Sequence, residues 1–251
     1  MKDKNCLVDF RMRKIEKDYL RSLGYNIIEN VYNLDLYDEI ASHIDIEYVK
    51  VDRNIVVSPK RYVEYQKELS ACNNTIIKGK DNVSGVYPKD ILYNVCIIGK
   101  RAIHSFKYTD PRLKEILVSN GYECIDVSQG YSNCSILVID ENSCITGDIK
   151  IAKTLLDYGI DVLFVNEPDI KLLKRTGINE NNIQRMFFEY SDMSGFIGGS
   201  MACIGDTIIV FGDINNFVNK DKIVSFIESK GKKVKDFEGL NIIDYGGIMT
   251  F

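Results

Sequence analysis

The chain repeats one pattern five times: an amphipathic helix ends at a Gly or Asn residue, and a short apolar strand follows it. Most of these junctions are separated by roughly 38 to 49 residues, and a long insert stretches the last interval to about 72 residues. A repeat of this length predicts one supersecondary unit that is copied around a shared core. The five helix stops lie at Gly24, Asn73, Gly121, Gly159 and Gly231.

Hairpin signals precede four of the five helices, and in each a turn-rich joint separates two β-branched runs. The four hairpins are predicted at residues 48–57, 95–104, 135–146 and 201–211. The first helix has no hairpin before it. Its missing strands are therefore predicted to come from both chain ends, from residues 6–10 and from residues 241–243 through 248–251. Such a pairing would close the ring and remove exposed sheet edges.

The whole chain is predicted to form one domain. Its 251 residues would suffice for two average domains, but the repeat runs unbroken, and 45% of the residues are hydrophobic, which is ample for a shared core. We therefore predict an α/β fold over residues 1–251, built as a pseudo-fivefold ring of five helix–strand–hairpin units, with an insert at about residues 167–194.

The insert contains an apolar and aromatic stretch that includes Met186, Phe187, Phe188 and Tyr190. Such a segment suits a lid over a central channel or a contact between the subunits of a homo-oligomer. A packed excursion over a neighbouring unit explains the stretch equally well.

The charge and hydropathy of the chain argue against nucleic-acid and membrane partners. Its 32 Lys and Arg residues against 36 Asp and Glu residues give a net charge of −4, so no global field would attract phosphate backbones or anionic lipid. No apolar stretch approaches the ~20 residues that a membrane span needs, and residues 1–6 lack the apolar core of a signal peptide. A cytoplasmic location is therefore expected.

The sequence indicates neither a metal site nor a cofactor. The chain has 7 cysteines, an odd number, and no C-x-x-C motif, so neither a disulfide framework nor a zinc ribbon is predicted. With only 2 histidines, a His-built metal site is not expected. The glycine-rich segment 195–199 leads into a strand, which makes it a poor dinucleotide fingerprint. Most of the cysteines are interpreted as small buried hydrophobic residues.

Five such units around a pseudo-fivefold axis resemble the pentein fold, the α/β propeller of the guanidino-group-modifying enzymes. These enzymes include arginine and agmatine deiminases, amidinotransferases and dimethylarginine hydrolases. Several segments are more closely similar to an uncharacterised bacterial family assigned to that fold, which has no activity to carry over. These segments are residues 130–136, 145–148, 159–163, 195–199 and 246–248.

One motif of the pentein enzymes has a counterpart in this chain, and a second is incomplete. His43-Ile44-Asp45 resembles their His-x-Asp before a strand, in which the His is the general acid/base and the acid holds the guanidinium. The enzymes carry Gly-Gly-Gly-Ile-His-Cys near the C-terminus, whereas residues 245–251 here contain no thiol. The resemblance therefore implies that the covalent nucleophile is missing, and hydrolysis of arginine, agmatine or dimethylarginine is not expected.

Cys203 is the candidate replacement for the missing nucleophile. Gly198 and Gly199 precede it at the spacing of the enzyme motif, although in a different unit of the ring. Alternation along the strand equally makes Cys203 an ordinary inward-facing residue. A reactive thiolate needs a lowered pKa, and nothing beside Cys203 in the sequence supplies a cation.

Aligning the hairpins by their turns indicates a site without reference to any family. His43 lies nine residues before Asp52, and Tyr131 lies nine residues before Asp140. If the strand starts converge on the axis, acidic side chains and a Tyr would face a small cationic or amino-bearing ligand. The alternative is that these strand starts are solvated loops. The predicted ligand-binding residues are His43, Asp45, Asp90, Tyr131, Asn133, Gly198 and Gly199.

Two functions remain open from the sequence. The first is a non-catalytic protein that binds a small amino or guanidino compound, or a partner, at the channel. The second is a divergent C–N hydrolase or deiminase that uses His43, Asp45 and Cys203. Ribosome-associated binding is disfavoured by the acidic charge balance.

Overall fold

A computed structural model describes residues 4–70, 74–176 and 186–251. The predicted helix stop Asn73, Cys72 and residues 177–185 of the insert lie outside the described residues. None of the described helices is long and apolar enough to cross a bilayer. The helices are α1 (Lys14–Ser22), α2 (Pro59–Ser70), α3 (Pro111–Ser119), α4 (Ser132–Ser135), α5 (Ile149–Asp157) and α6 (Lys220–Ser229).

The strands are short and follow one another closely along the chain. In the first half they are β1 (Lys4–Asp9), β2 (Tyr25–Asn30), β3 (Tyr48–Val51), β4 (Asn54–Val57), β5 (Thr75–Lys78), β6 (Cys96–Ile98), β7 (Arg101–His104) and β8 (Glu123–Asp126). In the second half they are β9 (Ile136–Asp140), β10 (Ser143–Thr146), β11 (Asp161–Phe164), β12 (Lys171–Thr176), β13 (Phe187–Ser194), β14 (Met201–Ile204), β15 (Thr207–Val210), β16 (Lys233–Lys235) and β17 (Ile248–Thr250).

Five three-stranded sheets share one topology. In each sheet the central strand pairs antiparallel with one neighbour and parallel with the other, and a helix joins the central strand to the parallel one. Four of the antiparallel partners come from the predicted hairpins, which are confirmed. The sheets have the strand orders β17-β1-β2, β3-β4-β5, β6-β7-β8, β9-β10-β11 and β14-β15-β16.

The two chain ends meet in the first sheet. β17 pairs antiparallel with β1, with Cys6 opposite Thr250, and β2 pairs parallel with β1 on its other edge. This confirms that the C-terminal strand supplies the hairpin partner missing before the first helix. The predicted strand at 241–243 is wrong, because Ile243 forms only an isolated bridge with Lys171. That stretch instead packs its apolar side chains into the core, where Ile243 is 3% exposed.

Helix α5 shows how the local sequence sets the boundaries of a unit. The Asp148 carboxylate accepts hydrogen bonds from the backbone N–H groups of Lys150 and Ile151 and so caps the N-terminus of the helix. Ile151 and Leu155, four residues apart, are buried against the sheet. The chain then turns at Gly159, whose φ of +72° favours glycine.

Contacts between neighbouring sheets run from the first sheet to the fifth and back to the first. Some of them join hairpin turns, as between Lys100 and Asp52, and others join strands, as between Lys50 of β3 and Thr250 of β17. The linking hydrogen bonds join Lys50 with Thr250, Lys100 with Asp52, Arg101 with Asn142, Cys203 with Ile139, and Arg13 with Phe211.

The insert forms a two-stranded antiparallel hairpin of β12 and β13. Its Phe188 ring packs edge-on against Phe10, with 5.6 Å between ring centroids, and the Arg11 guanidinium lies 5.7 Å from the same ring. The hairpin therefore packs over residues that follow β1. Phe187 and Tyr190 of this hairpin are exposed.

Candidate functional site

Polar residues that precede strands of three different sheets meet in the interior. Asp45 lies in a 3₁₀ turn before β3, and Asn133 and Cys134 lie in the short helix α4 before β9. Asn94 lies two residues before β6. Because strands of equivalent position start at the same end of their sheets, the residues before them come together although the sequence separates them widely.

Asp45 is the centre of this cluster. Its Oδ2 accepts a hydrogen bond from Cys134 Sγ at 2.8 Å and another from Asn133 Nδ2 at 3.2 Å. Asn94 donates through Nδ2 to the Asp45 carbonyl at 3.2 Å, and its Oδ1 accepts from the backbone N–H groups of Asn133 and Cys134. Asp45 Oδ1 is buried and has no hydrogen-bond partner among the described residues. The carboxylate is thus held from one side only.

The pKa values of the Asp45 carboxyl and the Cys134 thiol are both raised. Burial raises the pKa of Asp45 to about 6, although hydrogen bonds from Cys134 and Asn133 oppose the shift. Burial also raises the pKa of Cys134 well above its usual value, and the nearby Asp45 charge adds to this effect. At neutral pH the site therefore holds a mostly ionised carboxylate and a protonated thiol.

His43 and Asp244 form a second buried pair beside Asp45. Their Nδ1 and Oδ1 atoms are 3.8 Å apart, and both side chains are 1% exposed. Burial lowers the pKa of His43, although Asp244 opposes the shift, so the pair is not an ion pair at neutral pH. Neither ring nitrogen of His43 has a hydrogen-bond partner among the described residues. Asp244 accepts hydrogen bonds from the backbone N–H groups of Phe196 and Gly246.

The glycines of the two glycine-rich segments leave the space that these side chains occupy. A Cβ on Gly199 would overlap Asp244 Oδ1, and a Cβ on Gly246 would lie 2.5 Å from His43 Cβ and 2.7 Å from Asp45 Oδ1. Gly246 also has a φ of +67°, which favours glycine. The glycines at these positions are therefore required by the close packing of buried polar groups.

Two cavities meet at Asn133. One has a volume of about 260 Å³ and is lined by Asp45, Asn133 and Lys50, together with apolar side chains that include Met249. The other has a volume of about 460 Å³ and is lined by Asn133, Cys203 and further residues of the fourth and fifth sheets. Asp45 and Asn133 are thus predicted site residues that line the same cavity and contact each other.

Tyr131 and Asp90 form a separate contact. The Tyr131 hydroxyl donates to Asp90 Oδ2 and lies 2.8 Å from the hydroxyl of Tyr37. The Tyr131 ring stacks on Phe196, with 6.0 Å between centroids. Tyr131, Asp90 and His43 are not among the residues that line the 260 Å³ and 460 Å³ cavities. Their part in ligand binding stays a prediction.

Gly198, Gly199 and Cys203 lie at the start of the fifth sheet. Gly198 lines the 460 Å³ cavity together with Cys203. The Cys203 side chain is exposed in β14, and its Sγ lies 3.5 Å from the Ile139 carbonyl oxygen. Burial of part of the side chain raises the Cys203 pKa, and Lys232 opposes the shift. A cation is therefore near Cys203, but the thiol is not activated by it.

Sequence reasoning missed three members of the cluster: Cys134, Asn94 and Asp244. Cys134 follows directly after Asn133, and Asp244 stands just before the Tyr245-Gly246-Gly247 segment, so both adjoin residues that the motifs single out. Asn94 has no comparable signal. Within the described ranges, no three His, Cys, Asp or Glu side chains are grouped closely enough to hold a metal ion.

Several solved enzymes are similar to this chain in structure. Dimethylarginine dimethylaminohydrolase from Pseudomonas aeruginosa, solved with citrulline, aligns with a TM-score of 0.57 at 10% identity over 100% of this chain and 99% of its own. Agmatine deiminase from C. jejuni aligns with a TM-score of 0.51 at 9% identity, over 94% and 87% of the two chains. Inosamine-phosphate amidinotransferase from Streptomyces griseus aligns with a TM-score of 0.53 at 13% identity, over 93% of this chain and 75% of its own. These similarities show that the chain shares the α/β fold of these enzymes.

The sequence itself matches one family. Residues 7–249 fit the profile of a family of unknown function, DUF6873, and the chain belongs to that family. A search of curated protein sequences gave no significant match. The structural similarity at this level of identity shows the fold alone.

Proposed function

We propose that this chain is a closed five-unit ring whose central polar cluster binds a small cationic compound with an amino or guanidino group. The succession of contacts from each sheet to the next, and from the fifth back to the first, supports the ring. The net charge of −4 favours a small cationic ligand over nucleic acid.

The unpartnered Oδ1 atom of Asp45 carries this proposal. A buried carboxylate oxygen that accepts no hydrogen bond is costly, and a cation that donates to it offsets that cost. The cavity beside Asp45 also has apolar walls at Tyr48, Ile248 and Met249. Such walls suit the alkyl chain of an amine or guanidine, while Asp45 receives its charged head.

Calorimetric titration with butylguanidine and butylamine tests the proposal. The Asp45→Asn variant keeps the shape of the side chain but removes its charge, and we expect it to bind both cations at least about tenfold more weakly. Asp157→Asn, at the exposed end of α5, is the matched control with the same change in net charge. Equal affinities of the wild type and Asp45→Asn would refute a cation site at Asp45.

A second candidate is a C–N hydrolase in which Cys134 is the thiol. The observation that favours it is the 2.8 Å contact between Cys134 Sγ and Asp45 Oδ2, since a cation held by Asp45 would lie beside the sulfur and stabilise its thiolate. This differs from the sequence-based assignment to Cys203, whose thiol lies in another sheet.

Release of ammonia or citrulline from guanidino compounds tests the second candidate. If the hydrolase function holds, Cys134→Ser and His43→Ala abolish the release, and Cys203→Ser leaves it unchanged. If only Cys203→Ser abolished the release, Cys203 would be the nucleophilic thiol instead of Cys134. If the protein bound the cations but released no ammonia or citrulline, the hydrolase function would be refuted and the binding function would remain.

A further inference from the structure

The cavity that Asp45 lines is also lined by a cationic side chain. Lys50, on β3, lines the same 260 Å³ space. Its Nζ donates to the backbone carbonyl of Thr250 at 2.8 Å, which links β3 with β17. Among the residues that the structure describes, no carboxylate forms an ion pair with Lys50 Nζ. The cavity therefore presents a negative and a positive group that are not paired with each other.

Each of these charges has lost part of its hydration without gaining an opposite charge. Burial lowers the pKa of Lys50, as expected for an ammonium group near a low-dielectric wall without a carboxylate partner. Asp45 has the complementary shift, with its pKa raised. A ligand that has a cationic head and an anionic tail would satisfy both groups at once, whereas a ligand with two cationic ends would place one beside Lys50.

We propose that Lys50 makes this site selective for compounds that carry a carboxylate opposite their amino or guanidino group. This inference rests on the proposed function, because it assumes that Asp45 holds the cationic head. Lys50 itself binds the tail and so determines specificity. Its existing contact is to a carbonyl oxygen, so the ammonium keeps further N–H donors for a carboxylate.

Three guanidines of similar length provide the test, because they share the head and differ in the tail. These are 4-guanidinobutyrate, with a carboxylate; butylguanidine, without a tail charge; and agmatine, with an ammonium group. In the wild type we expect the affinity to fall in that order, by about three- to tenfold at each step, as for a partly exposed ion pair.

Variants of Lys50 distinguish its proposed role in ligand selectivity from its structural hydrogen bond to Thr250 in β17. In Lys50→Met we expect the three affinities to converge, mainly because 4-guanidinobutyrate binds more weakly and agmatine more tightly. Lys50→Arg should retain the order, since the guanidinium can also bind a carboxylate. Lys153→Met, on the exposed face of α5, is the control for net charge and should retain it as well.

The possible outcomes distinguish this inference from the proposed function. If all three guanidines bind with one affinity, and Lys50→Met changes nothing, the selectivity is refuted while cation binding at Asp45 stands. A purely structural Lys50 would weaken all three ligands by the same factor in Lys50→Met, which also refutes the selectivity. If none of the three binds to the wild type, the proposed function fails, and this inference fails with it.

Discussion

Cys134 Sγ lies 2.8 Å from Asp45 Oδ2, although the two residues are 89 positions apart in the sequence. The thiol donates to the carboxylate and stabilises its ionised form, while the carboxylate charge disfavours the thiolate. The protonation states of the two groups are therefore linked. A cation that binds Asp45 acts on both of them.

Removal of the Cys134 donor should raise the pKa of Asp45. Cys134→Ser keeps a hydrogen-bond donor, whereas Cys134→Ala deletes it, so we expect the Asp45 pKa to be higher in Cys134→Ala by about half a unit to one unit. The pH dependence of butylguanidine affinity, followed by calorimetry from pH 5 to 8, measures the midpoint. Identical midpoints in the two variants would show that the Sγ–Oδ2 contact does not stabilise the ionised carboxylate.

Asp45→Asn should stabilise the fold at neutral pH while it removes cation binding. The pKa of Asp45 rises from an ordinary value of 3.8 to about 6 on folding, so the folded protein binds this proton more tightly than the unfolded chain. The ionised group therefore destabilises the folded state above pH 6, by up to about 3 kcal/mol, and this cost disappears as the pH falls towards 3.8.

Urea unfolding of both proteins at pH 7.5 and pH 4 measures this effect. We expect Asp45→Asn to raise the free energy of unfolding at pH 7.5 and to have a much smaller effect at pH 4. The amide can place its oxygen toward Cys134 and Asn133 and its NH₂ group at the position of the unpartnered Oδ1. Destabilisation at both pH values would contradict the assignment of Asp45 as an unpaired buried charge.

The repeated unit is readable from the sequence because its signals are local. In the unit of α5, all of these signals lie between Asp148 and Gly159. They are the Asp148 cap, the apolar face that includes Ile151 and Leu155, and the turn at Gly159. The hairpins depend on turn residues between β-branched runs and are equally local. The pairing of β17 with β1 follows indirectly, since only the first unit lacks a hairpin.

The arrangement of the site is less predictable because it depends on how the sheets face each other. Turn alignment relates Asp45 to Asn133, and the two do contact. The same alignment treats Asp90 as a further member, but Asp90 contacts Tyr131, and Asn94 donates to Asp45 instead. A shift of a few residues before a strand decides which side chain reaches the centre, and hairpin periodicity does not fix that shift.

Gly199→Ala should be strongly destabilising. The new Cβ would overlap Asp244 Oδ1, and Asp244 cannot retreat easily because it accepts hydrogen bonds from the backbone of Phe196 and Gly246. We expect a loss of about 3 kcal/mol in the free energy of unfolding. Gly205→Ala is the control: Gly205 has a φ of +60°, but no described atom lies within 4 Å of its Cβ position, so about 1 kcal/mol is expected. Equal losses would show that the overlap with Asp244 costs no more than the left-handed backbone conformation of Gly205.

His104 should contribute a pH-dependent part of the stability that has nothing to do with ligand binding. It is fully buried, with Nε2 2.9 Å from the Gly130 carbonyl oxygen and Nδ1 2.7 Å from the Thr109 hydroxyl. The carbonyl requires a donor, so Nε2 carries the proton and Nδ1 accepts from Thr109. This neutral tautomer satisfies both nitrogens, and burial lowers the pKa of His104 to about 4.

Because the unfolded chain takes up this proton near pH 6.5 and the folded protein does so only near pH 4, the contribution of His104 is fully present above pH 6.5. It is lost as the pH falls from 6.5 towards 4, by about 3 kcal/mol in total.

His104→Gln keeps an N–H donor for the Gly130 carbonyl but cannot titrate, so its free energy of unfolding should fall less over this range than that of the wild type. Urea unfolding at pH 7 and pH 4.5 measures the difference, and the Asp45 contribution cancels because both proteins contain it. Parallel pH profiles, or an NMR titration of the His104 imidazole near pH 6.5, would show that the ring is not held in the neutral tautomer.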